Sequence, residues 1–287
     1  MFTLPQLLDS LQVEQLDSLL FRGYSLDLPL VRVFGGQVIA QSINAASRTV
    51  PEERRPHSFH SYFLRPGDPK KPIIFDVDPI RDGGSFTTRR VVAKQNGKAI
   101  FNCTVSYQLL EEGLSHQMDM PNNLPDPETL ERDVDREKRL MAKVPGRQPN
   151  MFFPGDVIDV RMTEPRDPYE PTIEEPVQGY WFRINGQLAD DLSLHKVLLA
   201  YVSDYGLMAA GLRPHGVSIH DPRMQPASLD HAMWFHETFR VDEWLYYHMD
   251  SPRSSGARDF NRGSFYRQDG CLVASCSQEG LIRFRDS

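Results

Sequence analysis

The sequence predicts an α+β protein built from two tandem repeats, each a long helix laid against an antiparallel sheet. The first observation behind this is a likeness between two stretches of the chain. GGSFTTRRVVAKQNGKAIFNCTVSYQ runs from Gly83 to Gln108, and GARDFNRGSFYRQDGCLVASCSQEGLIR runs from Gly256 to Arg283. In each, 14 residues separate an opening glycine from a second one, Gly83 from Gly97 and Gly256 from Gly270, and a cysteine follows six residues later, Cys103 or Cys276. The second observation is that both inner glycines complete a turn dipeptide between β-prone runs. Asn96-Gly97 and Asp269-Gly270 both predict two-residue type I′ hairpins. The third is a helical pattern upstream of each hairpin, with a strand-like run between the two.

Taken in order, Leu4, Leu7, Leu8 and Leu11 predict a short amphipathic helix. It does not read as a secretory signal, because a basic start is missing and Asp9, Glu14 and Asp17 interrupt the apolar residues. The first long helix starts after Gly35-Gly36, with Ile39, Ile43 and Ala46 on one face and Ala40 and Ala45 keeping it slim. A strand follows from Ser58, then the hairpin. In its last strand Ala99, Phe101, Cys103, Val105 and Tyr107 alternate onto the face toward the helix. From Glu111 to Val177 the character changes: nearly half of the 22 prolines lie there, around a charged helix-like segment from Pro127 to Lys143. This reads as a partly ordered connection over the surface. The second long helix is read from Asp191 to Gly211, with Asp191 or Ser193 as N-cap. A strand opens at Ser228, where Ser58 stands in the first repeat. The expected division is an N-terminal repeat over 1–110, a proline-rich connection over 111–177 and a C-terminal repeat over 178–287.

Composition narrows the function classes. At 287 residues, 40% hydrophobic and 25% charged, the chain is ordinary for a globular protein. A net charge of -7 argues against a broad nucleic-acid surface, while a few local arginines could still hold a phosphate. Cys103, Cys271 and Cys276 form no CxxC and read as buried thiols in a reducing compartment. His57-x-x-His60 and His231-x4-His236 lack companion ligands, so neither metal nor cofactor is expected. No run approaches the roughly 20 apolar residues of a membrane span, and Arg285-Asp286-Ser287 is not the Ser-Lys-Leu address. A cytoplasmic enzyme is the expectation.

Two polar residues fall where the pattern calls for apolar ones. Leu194, Val197, Tyr201, Asp204 and Met208 recur at steps of three and four, so Asp204 interrupts a face that should bury. A buried carboxylate is costly unless it is hydrogen-bonded or its pKa moves, and such a group is a candidate base. Superposing the hairpin glycines sends the inner face of the first repeat onto Leu272, Ala274, Cys276, Gln278 and Gly280, so Gln278 replaces Val105. With Ser228 these residues make a carboxylate, a hydroxyl and an amide able to hold one water, Asp204 taking its proton.

VRVFGGQVIAQS from Val31, SFHSYFLRPGD from Ser58, YVSDYG from Tyr201, SLDHAMWFH from Ser228 and SCSQEGLIR from Ser275 resemble the acyl-CoA thioesterase II family, in order and over nearly the whole chain. The resemblance implies a double hotdog: two tandem repeats, each a long helix wrapped by an antiparallel sheet, with the sheets joined. It also implies hydrolysis of fatty acyl-CoA to a free fatty acid and coenzyme A, and a homo-oligomer, dimer or tetramer. The family's catalytic aspartate, threonine or serine, and glutamine fall on Asp204, Ser228 and Gln278, with serine where many bacterial members have threonine. Val105 replaces the glutamine in the first repeat, so one active site per chain is expected. The expected mechanism is general-base hydrolysis without an acyl-enzyme. Three rivals remain at this stage: a serine hydrolase, for which a G-x-S-x-G elbow is missing; a hotdog enoyl-CoA hydratase or dehydratase using one of the histidines; and a non-catalytic acyl-CoA binder.

Overall fold

Thr3 and Gln6 cap one another across the first turn of α1 (Leu4–Leu11), whose Leu7 and Leu11 are buried. The chain then forms two short strands, β1 (Glu14–Asp17) and β2 (Leu20–Gly23), before entering α2 (Gly35–Ser47). The computed structural model describes residues 3–26, 31–142 and 156–285. α2 is buried on every side, including its amides. Gln41 Nε2 donates to Ser10 O at 2.6 Å and Tyr24 O at 2.9 Å, which gives this buried amide its partners in the interior.

β3 (Arg55–Phe63), β4 (Ile73–Asp82), β5 (Phe86–Gln95) and β6 (Lys98–Gln108) complete the first repeat. Asn96 and Gly97 have φ of 49° and 73°, the type I′ turn that Asn-Gly predicts. Phe101, Cys103, Val105 and Tyr107 alternate inward and are buried, as the pattern requires. The connection holds a short 3-10 turn, Pro127–Thr129, and α3 (Asp133–Met141); Lys143, the end of the segment read as helical, lies outside the described residues. Part of the connection is a belt. Trp181 Nε1 donates to Pro125 O at 3.0 Å, and Met120, Leu124 and Leu130 pack on the cluster of Trp181, Trp244, Tyr246 and Tyr266.

The second repeat reaches further back than its sequence pattern indicates. β7 (Ile158–Met162), inside the proline-rich stretch, pairs with β8 (Val177–Ile184), and only then comes α4 (Leu192–Ser203). A one-turn helix, α5 (Ala209–Leu212), follows, then β9 (Met224–Ser228), β10 (Asp230–Phe235), β11 (Leu245–Ser255), β12 (Arg258–Arg267) and β13 (Leu272–Phe284). The sheet order is β1-β2-β4-β5-β6-β3-β10-β13-β12-β11-β8-β7, with β9 beside β13. Its two halves mirror each other across the antiparallel β3–β10 seam, and α2 packs against α4 beneath it. This is the double hotdog.

Three expectations need correction. The helix read from Asp191 to Gly211 stops at Ser203, because Gly206 takes φ +74° and turns the chain. Asp269-Gly270 is not a two-residue turn: residues 268–271 form the loop and only Gly270 has positive φ. The register also slips near it, and Leu272 joins the outer aromatic cluster instead of the inner face. Finally, Ser61 pairs with Cys103 and Met233 pairs with Cys276, so Ser58 corresponds to Asp230 and not to Ser228.

Candidate active site

The end of α4 is held by donors from the sheet around it. Tyr247 Oη donates to Ser203 O at 2.8 Å, Tyr180 Oη to Tyr205 O at 3.0 Å, and Gln178 Nε2 to Gly206 O at 2.7 Å. These bonds satisfy carbonyls that the helix leaves open and fix Asp204 as its C-cap. The carboxylate leaves α4 toward the start of α2, whose N-cap residue, Phe34, supplies no side-chain acceptor. The Gly36 N–H bonds to the Asp204 carboxylate instead, so an acid from the second repeat caps the helix of the first. Glycine is required at this approach: a Cβ on Gly35 would overlap Asp204 Oδ2, and one on Gly36 would overlap Tyr201 O.

Ser228 reaches the same carboxylate because of a bulge. It lies three residues from the inward-facing His231, a spacing that strand alternation sends to opposite faces. Ser228 pairs with Gly280 while Ala232 pairs with Ser277, a register offset of one residue about Leu229. The slip re-aims Ser228 inward. Its Oγ donates to Asp204 Oδ1 at 3.5 Å and lies 3.9 Å from Met208 Sδ. Gln278, from β13, is almost fully buried and donates from Nε2 to Asp204 Oδ1 at 3.3 Å. The structure thus brings together all three residues singled out from the sequence.

Burial pushes the Asp204 carboxyl up to about 7, against the Gly36 N–H, the Gln278 amide, the Ser228 hydroxyl and Arg32, which all favour its charged form. It is therefore able to take and return a proton near neutrality. Each contact to Oδ1 is longer than an ideal hydrogen bond, and both donors converge on the same oxygen.

Sequence reasoning weighed His231 only as a metal ligand or hydratase histidine and used Gly35-Gly36 only to mark a helix start, and it missed that all three belong to the surroundings of Asp204. His231 is fully buried, stacked on Phe59, with Nδ1 3.2 Å from Gln278 Oε1 and Nε2 2.9 Å from Ser203 Oγ. Alternation along β10 would have found it, since His231, Met233 and Phe235 share the buried face. The other histidines of the sequence reading are dispersed. His57 bonds Ser106 Oγ, His60 lies edge-on to Trp234, and His236 bonds Ser275 Oγ. Among the described residues no group of three or more His, Cys, Asp and Glu side chains comes together, and no helix is long and apolar enough to cross a membrane.

Comparison with known proteins identifies the family over both repeats. Residues 27–108 match the family described as acyl-CoA thioesterase N-terminal domain, and residues 150–281 match the one described as acyl-CoA thioesterase. The chain is 37% identical over 283 residues to acyl-CoA thioesterase 2 of Haemophilus influenzae, covering 99% of each. It is similar, at 40% identity and a TM-score of 0.79, to the crystal structure of acyl-CoA thioesterase II TesB2 from Mycobacterium marinum, covering 97% of this chain and 98% of that one. A hot dog fold protein from Alicyclobacillus acidocaldarius, 18% identical with a TM-score of 0.76 over 97% of this chain and 98% of its own, has the same fold.

Proposed function

The chain belongs to the acyl-CoA thioesterase family and is an acyl-CoA thioester hydrolase, and from that premise we propose that it cleaves fatty acyl-CoA to a free fatty acid and coenzyme A by a water that Asp204 activates, with no acyl-enzyme. The observation that carries the mechanism is the convergence of the Ser228 hydroxyl and the Gln278 amide on one oxygen of Asp204. A water in that cluster gives its proton to the carboxylate while hydroxyl and amide fix its orientation. It attacks the thioester carbonyl carbon, whose π electrons move onto oxygen. The first turn of α2, where Gly36 N–H already faces the site, supplies positive potential for that oxyanion. Collapse of the adduct expels the coenzyme A thiolate, and Asp204 returns the proton.

Ser228 is the nearest hydroxyl that could act as a nucleophile instead. Its partner is the carboxylate itself, with no histidine between them, whereas serine hydrolases interpose an imidazole. We take the working form to be a cytoplasmic homo-oligomer, a dimer or tetramer; Tyr62 and Trp234, exposed beside the β3–β10 seam, support a covered outer face.

Asp204→Asn preserves shape and hydrogen-bonding capacity but removes the base. Thiol release from a long-chain acyl-CoA should fall by on the order of 10²–10⁴ in kcat while the melting curve stays cooperative. Turnover near the wild-type value would remove Asp204 from this role.

A further inference from the structure

We propose that His231 is a positioning residue, holding the Gln278 carboxamide in the one orientation that aims its N–H at Asp204; this rests on the reading of Asp204 as base. The direction of each bond follows from the carboxylate at one end. An ionised Asp204 only accepts, so Gln278 must turn Nε2 toward it and Oε1 toward His231, the arrangement found at 3.3 Å and 3.2 Å. An amide oxygen facing Nδ1 requires a proton on that nitrogen. The neutral ring then has a bare Nε2, which accepts from Ser203 Oγ at 2.9 Å. Ser203 Oγ also lies 2.9 Å from Ala200 O, so its single proton is shared between two acceptors. Ser203, His231 and Gln278 thus form a chain in which the imidazole and amide N–H donors run toward Asp204.

An amide has two faces of nearly equal shape, and a flip would set its oxygen against the carboxylate. In water such a flip costs little. Here it would place two acceptors, Oδ1 and Oε1, in contact in a buried site, and leave Nδ1–H without an acceptor. The carboxylate sets the orientation and the imidazole, as its Nδ1–H tautomer, holds it, staying neutral to do so: burial pushes its pKa down to about 4. The first repeat has no counterpart. Phe59, opposite Val105, occupies the place that His231 holds opposite Gln278. Histidine and glutamine have been installed together in the repeat that bears the acid.

The test compares two polar replacements. Asparagine sets its amide near the former Nδ1, whereas glutamine reaches the former Nε2 position and leaves Gln278 unheld. His231→Asn should keep kcat within about threefold of wild type. His231→Gln should lose about tenfold in kcat, the rate equivalent of one hydrogen bond, with KM for a long-chain acyl-CoA unchanged. The acid limb of kcat/KM should also move to higher pH in His231→Gln, because Asp204 loses a donor that favours its charged form. The charged or titratable groups facing Asp204 are Arg32 before α2, Cys276 on β13 and Tyr247 on β11, with His231 behind Gln278. Burial pushes the Cys276 thiol up to about 12 and raises Tyr247 further, so neither titrates near the limb. Ser203→Ala keeps the imidazole and reads the chain from its far end; the limb should shift in the same direction. The inference is overturned by a His231→Gln or Ser203→Ala enzyme with an unmoved limb, or by an asparagine variant as impaired as the glutamine one. An Asp204→Asn control with wild-type turnover would instead overturn the role of the acid, whatever the histidine variants do.

Discussion

Asp204 lies between two opposed helix ends. It caps the C-terminus of α4, where a negative charge is disfavoured, and faces the N-terminus of α2, where it is favoured. Burial outweighs the favourable donors, and the carboxyl rises from its ordinary 3.8 to about 7. That shift links activity to stability. Below pH 4 the group is protonated in both folded and unfolded chains and costs nothing. As pH rises from 4 to 7 the unfolded chain ionises first, and the folded state loses stability that stays lost above 7. The full cost is on the order of 4 kcal/mol before solvent access reduces it. Asp204→Asn should therefore melt several degrees above wild type at pH 8, with the gap closing toward pH 5, as thermal unfolding across that range will read. In the wild type, kcat/KM should fall on the acid side of about 7.

At the scale of elements, strand alternation in the first repeat and one of the two hairpin turns were legible, while the Asp269-Gly270 turn and the boundaries near the site were not. Phe101, Cys103, Val105 and Tyr107 face inward as their spacing predicts, and Asn96-Gly97 makes the expected turn. Asp204 was legible as an anomaly, yet the helix around it was read too long, because the 3.6-residue pattern continues past Gly206 into α5. The glycine was the stop signal. Ser228 was found by likeness to Ser58, although the sheet aligns Ser58 with Asp230; a bulge about Leu229 brings it inward, and no local pattern announces a bulge of one residue. The α2–α4 contact was invisible because it joins residues far apart in sequence. Gly35→Ala tests it. In a free helix the change gains up to about 1 kcal/mol, but here the methyl overlaps Asp204 Oδ2 and crowds Phe63. Overpacking of about 1–3 kcal/mol should win, lowering the melting temperature and cutting kcat at least tenfold.

Over the whole molecule the two repeats divide the work. The second supplies Asp204, Ser228, Gln278 and His231; the first supplies the start of α2 and the β3 edge against which β10 pairs. On the proposed mechanism neither half contains a complete site. Residues 156–287 produced alone should show no thiol release, and co-production with 1–142 should restore a measurable fraction; activity of the second half alone would separate the site from α2. The repeat was legible from hairpin spacing and the paired cysteines. The strands before each helix, β1, β2, β7 and β8, were not, since β1 has no buried residue to set an alternation and β7 lies in a stretch whose prolines mask its apolar run.

The seam also imposes an order in time. Ser61 Oγ donates across it to His231 O, a residue 170 positions later in the chain. During synthesis β3 must wait that long for its neighbour, with a row of amides and carbonyls open on one edge. A newborn chain at this stage is at its most adhesive, able to recruit the same strand of another copy, and slow delivery of the second repeat lengthens the exposure. Closing that edge ends the hazard and brings the acid to the first helix in the same step, so the nascent protein becomes safe and competent together.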